Sequence, residues 1–167
     1  CERCVFACQA TNDTQTGHLW NIVLRDEETF GTPVFLPRPC MHCEHAPCVE
    51  VCPVKATYHR EDGIVVMDYQ RCIGCRYCMV ACPYGARVFN WEESSAENPM
   101  IPTWGKVENP RRPRGVAETC TFCSHRIAAG LERGIRPGLT GRRPRPAACS
   151  APPRRASSAT SAIPTCP

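Results

Sequence analysis

Apolar positions along the chain fall in runs of a few residues, broken by Cys, Pro, Gly and charged side chains. None approaches the roughly 20 residues that span a bilayer. Two β-prone runs, Ala56-Thr57-Tyr58-His59 and Ile64-Val65-Val66-Met67, flank Asp62-Gly63, a pattern that predicts a tight hairpin. His18-Leu19-Trp20-Asn21-Ile22-Val23-Leu24-Arg25 has strand character; the acidic Asp26-Glu27-Glu28, a turn with Gly31 and Pro33, and Phe35-Leu36-Pro37 follow. Ser124 to Leu131 reads as a short helix ending near Gly134, whereas residues 90–118 form a Pro- and Gly-containing stretch without periodicity around an isolated Trp104. Trp20, Phe35, Phe89 and Trp91 are expected in the core.

Composition changes this picture. Of 167 residues 15 are Cys, a density that means disulfides, zinc or iron–sulfur clusters, and the odd count argues against complete disulfide pairing. The formal charge of +4 belongs to the tail: residues 1–140 carry 15 Lys and Arg against 16 Asp and Glu. A nucleic-acid partner is therefore not expected, and Arg111-Arg112-Pro113-Arg114 reads as a solvated loop or docking surface.

Spacing selects the chemistry. Cys72-x2-Cys75-x2-Cys78-x3-Cys82-Pro83 is the complete bacterial ferredoxin run, and Cys40-x2-Cys43-x4-Cys48-x3-Cys52-Pro53 is a close relative. In such runs three thiolates on a tight loop bind one cubane, while the fourth Cys, expected to enter a short helix, ligates a second. The expected ligand sets are Cys40, Cys43, Cys48 and Cys82 for one [4Fe–4S] cluster, and Cys72, Cys75, Cys78 and Cys52 for the other. Ala56 and Gly85-Ala86 leave room beside them. Zinc would need separated C-x2-C half-sites without a further Cys and a Cys-Pro. His42 and His45 then become donors to sulfur or to a partner surface. The fold class predicted is α+β: a tandem bacterial-ferredoxin-like, loop-rich domain with short hairpins and short helices.

The loops Cys40-Met41-His42-Cys43-Glu44-His45-Ala46-Pro47-Cys48 and Arg71-Cys72-Ile73-Gly74-Cys75-Arg76-Tyr77-Cys78, with Cys120-Thr121-Phe122-Cys123-Ser124-His125-Arg126, resemble the four-cluster iron–sulfur electron-transfer subunits of the dimethyl sulfoxide reductase and polysulfide reductase type. The resemblance runs from residue 1 to about residue 136. It implies that motif I pairs with motif IV as II pairs with III, giving up to four clusters in the intact protein. It also implies a non-catalytic relay between a molybdopterin catalytic subunit and a multi-span membrane quinone-reactive subunit. Membrane association would then run through a partner, with the face of the membrane left open.

Two departures accompany it. Cys1, Cys4 and Cys8 match the second to fourth ligands of motif I, so the chain is expected to begin inside that motif; motif IV begins at Cys120 and Cys123 and lacks its third Cys and Cys-Pro. The incomplete sites would gather Cys1 and Cys4 on one side, and Cys120, Cys123 and Cys8 on the other. From Gly141 to Pro167 there are five Arg, six Pro, six Ala and four Ser and no acid, a composition unable to order itself. A native disordered tail is one explanation. The other is a one-base slip, since residues 150–167 re-read off frame can give Cys-Pro-Thr-Ala-Ala-Arg-Val-Phe, close to the run from Cys82 to Phe89. Two complete clusters, about eight irons, are expected in this chain.

The expected organisation is partial motif I and a linking strand over 1–39, a dicluster core over 40–89, a partner-facing insert over 90–118, the start of motif IV over 119–140 and the aberrant tail over 141–167. A free ferredoxin-like carrier and a zinc-binding interaction module are the alternative functions. No nucleophilic constellation, phosphate loop or dinucleotide fingerprint supports an enzyme.

Overall fold

Cysteines stand where a larger protein would place aliphatic side chains. One buried cluster joins Cys48 and Cys78 to Ala46, Val65, Met67, Phe89 and Ala117; a second joins Cys8 and Cys123 to Trp20. The computed structural model describes residues 2–29, 31–93, 97–99, 101 and 103–135. Cys1, Cys149, Cys166 and the proposed frame slip lie outside the described residues.

The chain runs α1 (Arg3–Asn12), β1 (Ile22–Asp26), β2 (Val34–Arg38), α2 (Pro47–Glu50), β3 (Thr57–His59), β4 (Val65–Met67), α3 (Tyr77–Val80), β5 (Arg87–Phe89), β6 (Ala117–Thr119) and α4 (Ser124–Glu132). Its strands pair as antiparallel hairpins β1–β2, β3–β4 and β5–β6. The Asp62-Gly63 turn forms as expected: Gly63 takes φ 80°, and its N–H bonds the Arg60 carbonyl at 3.0 Å. The Asp62 carboxylate receives the Ile64 N–H at 3.3 Å.

The strand expected from His18 begins at Ile22 and folds back on β2, with Leu24 opposite Leu36. Phe35 is consequently 49% exposed and Trp91 55%, so neither lies in the core; Trp20 and Phe89 do. Phe35 stands on the two-stranded β1–β2 ribbon, its ring under the Arg25 guanidinium at 5.9 Å. Trp91 meets the edge of Phe89, at 4.7 Å between ring centroids, and the Arg76 guanidinium.

Helix α1, at 10 residues, is too short to hold itself together and is kept by its surroundings. Val5, Ala7, Cys8, Gln9, Ala10, Thr11 and Asn12 are all buried. The 90–118 segment supplies that packing and satisfies the carbonyls left open at the helix C-terminus. Asn98 Nδ2 bonds the Gln9 carbonyl at 3.0 Å, and the N–H groups of Glu108 and Asn109 bond the Thr11 carbonyl at 2.9 and 3.1 Å. Arg112 donates to the Asn12 carbonyl. One face of the insert is thus committed to α1. The 111–114 basic run is solvated in part: Arg114 is exposed, whereas Arg111 pairs with Asp13 at 2.8 Å and buried Arg112 lies over the Trp20 ring at 4.9 Å.

Candidate iron–sulfur centres

Motifs II, III and IV build the same local turn. The residue before the second Cys is left-handed in each: His42 (φ 45°), Gly74 (φ 72°) and Phe122 (φ 48°). That conformation turns the N–H back on the preceding thiol, so His42 N–H meets Cys40 Sγ at 3.5 Å and Phe122 N–H meets Cys120 Sγ at 3.4 Å. For a residue with a Cβ this costs about 1–2 kcal/mol, which binding of the thiolate must offset. Motif III uses glycine because a Cβ on Gly74 would stand 2.5 Å from the Gly115 carbonyl oxygen.

The third Cys of motifs II and III lies on the short helix, Cys48 on α2 and Cys78 on α3, and the fourth follows the helix instead of entering it. Pro47 opens α2 with its φ already set. Beyond each helix the bonding repeats: Cys52 N–H to Val49 and Cys82 N–H to Met79, then Lys55 N–H to Cys52 and Gly85 N–H to Cys82. Lys55 and Gly85 are both left-handed. The motifs are therefore two copies of one loop–helix–turn unit.

Cys52 lines one cavity together with Cys72, Cys75 and Cys78, under a wall of Val54, Ala56, Met67, Ile73 and Ala117. A cysteine of motif II thus faces the three of motif III. Cys40 and Cys48 are buried, while Cys43 and Cys82 are half-buried. Cys8 lies close enough to Cys120, Cys123 and Cys4 for their charges to act on it. Motif IV also abuts motif II: the Cys40 N–H points at the Cys120 thiol, and the His42 and Phe122 rings stand 4.1 Å apart.

The donor set suits multi-iron centres. Cys4, Cys8, Cys40, Cys43, Cys48, Cys52, Cys72, Cys75, Cys78, Cys82 and Cys120 are free of disulfides. Among the described residues no three Cys, His, Asp or Glu side chains converge as ligands of a single ion would, and the cavity lined by Cys52, Cys72, Cys75 and Cys78 supplies the type of ligand a cubane takes. Burial pushes the Cys8 thiol far up, reinforced by Cys120 and Cys123, and Cys120 is pushed up to about 12 by burial and then by Cys123 and Cys40. Burial also raises Cys78, against the pull of Arg87. At Cys52 burial is outweighed by the N–H groups of Thr57, Ala56 and Val54, and the thiol is lowered; the Ala56 N–H lies 3.2 Å from its sulfur. Thiols so crowded ionise together only when a metal centre takes their charge.

His42 does not donate to sulfur through its ring: Nδ1 accepts the Val65 N–H at 3.0 Å, and burial, followed by the Arg87 charge, lowers its pKa to about 4. His45 is exposed. Sequence reading missed Arg87, whose Nη2 donates to Cys48 Sγ at 3.2 Å, and Glu118, fully buried beside motif IV. The available signal for Arg87 was a charge on the same phase as Phe89 in a three-residue strand; β6 is buried at every position and offered none for Glu118.

Residues 32–101 match the family model of a 4Fe-4S dicluster domain, and residues 71–151 match a second model of that description. The chain therefore carries [4Fe–4S] cluster-binding, ferredoxin-like units. The B subunit of the selenate reductase of Mesobacillus selenatarsenatis is 47% identical over 146 residues, 78% of this chain and 50% of the relative. A Halobacterium salinarum protein described as the iron–sulfur B subunit of a dimethyl sulfoxide reductase is 46% identical over 148 residues, 79% of this chain and 55% of the relative. The chain spans about half the length of these two curated relatives. The arsenate respiratory reductase iron–sulfur subunit of Shewanella sp. is 35% identical over 161 residues, 78% of this chain and 69% of the relative. With the repeated cysteine units, these matches place the chain in the family of [4Fe–4S] iron–sulfur subunits of the dimethyl sulfoxide reductase type.

Proposed function

We propose that this chain is part of an electron-relay subunit, without substrate chemistry of its own, that passes electrons between a molybdopterin catalytic subunit and a membrane quinone-reactive subunit. The observation that carries this proposal is Cys52 facing Cys72, Cys75 and Cys78, because exchange of the last ligand puts two cubanes side by side. Cys40, Cys43, Cys48 and Cys82 hold one cluster, and Cys72, Cys75, Cys78 and Cys52 the other. Cys8, Cys120 and Cys123 belong to a third site and Cys4, with Cys1, to a fourth. What bound clusters supply is one-electron transfer; the protein supplies thiolates, N–H donors and a wall that excludes water.

The abutting loops of motifs II and IV support a continuous path between the two pairs. We assign an α+β fold class to the whole, with motif I and a link over 1–39, the dicluster core over 40–89, an insert over 90–118 that has a partner-facing side, motif IV from 119 to 140, and the tail beyond. Among the described residues no helix is long and apolar enough to cross a membrane; association with the bilayer through the partner is part of this proposal. The relatives' names support the partners: they are iron–sulfur or B subunits of selenate and arsenate respiratory reductases, and one is the cluster-binding subunit of a menaquinone reductase.

The intact protein, purified anaerobically from its native cell, is expected to bring down a molybdopterin subunit and to be bleached by a menaquinol analogue. Isolation as a lone chain whose iron no quinol reduces would refute the relay.

A further inference from the structure

Arg87 follows motif III at the start of β5, yet its side chain turns into the protein and is 5% exposed. Nη2 donates to Cys48 Sγ at 3.2 Å and Nη1 to Thr57 Oγ1 at 3.3 Å. Thr57 is fully buried, and its hydroxyl and N–H both bond Cys52. The guanidinium thus reaches a ligand of one cluster directly and the fourth ligand of the other through a hydroxyl. No carboxylate is among its hydrogen-bond partners in the described residues. An ion buried without a counter-charge is strongly disfavoured, so the charge that keeps it there is that of the thiolates.

We propose that Arg87, with Thr57, is a shared positioning residue that sets the reduction potentials of both clusters, resting on the ligand sets given under Proposed function. Each reduction adds one electron to a cluster; no bond forms or breaks, and Arg87 keeps its proton. A fixed cation stabilises the added negative charge, and hydrogen bonds to ligand sulfur act in the same direction. Because it reaches a proposed ligand of each cluster, the cation would also screen the repulsion between the first electron and the second.

The test is an EPR-monitored redox titration of the cluster-loaded 167-residue chain, after iron and sulfide analysis, with Cys52→Ser marking which signal belongs to which cluster. Arg87→Gln is expected to keep its iron while both potentials move negative and the gap between the two reductions widens. Thr57→Val is expected to lower the potential of the Cys52 cluster only. Arg87→Lys, which keeps the charge, is expected to recover most of the shift. Unchanged potentials in a fully loaded Arg87→Gln protein would overturn the proposal. If Arg87→Gln fails to load, a loaded Thr57→Val protein with both potentials unchanged does so. An unsubstituted chain without two [4Fe–4S] signals would sink the ligand sets first, and this proposal with them.

Discussion

Trp20 donates its indole N–H to the carboxylate of Glu118 at 2.8 Å, joining two residues 98 positions apart. Glu118 is 1% exposed and also receives the Asn90 amide; the Trp20 ring carries Arg112 on its face and packs with Cys8 and Cys123. The bond therefore ties the surroundings of the motif IV thiols to the β5–β6 hairpin behind motif III. Glu118→Leu strands the Trp20 N–H inside the core, at about 1–3 kcal/mol, and leaves the Asn90 amide its bond to the Pro113 carbonyl at 3.1 Å. Trp20→Phe leaves Glu118 its Asn90 partner and costs less. Urea unfolding followed by cluster absorbance should rank the two in that order.

If the motifs exchange their last ligands as proposed, Cys52 and Cys82 should behave oppositely to their positions in the chain. Cys52→Ser should release the cluster held by Cys72, Cys75 and Cys78 and spare that of its own motif, while Cys82→Ser does the reverse. Iron analysis with EPR of each variant checks this, about four irons being lost in either case.

Gly74 and Gly85 both take positive φ, at 72° and 59°, but only Gly74 is crowded. Gly85→Ala meets nothing within 4 Å and should cost only the left-handed penalty of about 1–2 kcal/mol. Gly74→Ala adds a clash with the Gly115 carbonyl and should abolish loading of the Cys72 cluster. Iron retention after gel filtration distinguishes them.

Glu108 holds the insert to α4 through Arg126, with Nε–Oε2 at 2.5 Å. Its hydrogen bond to Arg126 keeps the carboxyl below its ordinary value of 4.5. A depressed folded pKa stabilises above the unfolded pKa, and that stability is lost as pH falls through the folded value. The pair is 40% exposed on the glutamate side, so solvent and salt screening make the effect small. Hydrogen exchange near residue 108 should accelerate as pH drops below 4.5, beyond the intrinsic trend, and Glu108→Gln should remove the pH dependence.

What the sequence disclosed is what depends on near neighbours. The two Cys-rich units, the Asp62-Gly63 hairpin and the helix from Ser124 are written in spacings of a few residues, and each is present. Partners far apart in the chain were not legible: Arg87 with Cys48 across 39 positions, Trp20 with Glu118 across 98, Arg112 with Asn12 across 100. Aromatic character misled at Phe35, which a two-stranded ribbon leaves 49% exposed, and at Trp91, which lies past the end of β5 and is 55% exposed. The insert looked structureless because its order comes from capping α1, and lone Asn and Arg side chains leave no periodic trace.

The most direct test is the iron and acid-labile sulfide content of the anaerobically reconstituted 167-residue chain. Two complete cubanes give about eight of each, in a brown protein that dithionite bleaches. A colourless protein holding zinc in place of iron would contradict cluster binding, and a count near sixteen would contradict the two-cluster assignment.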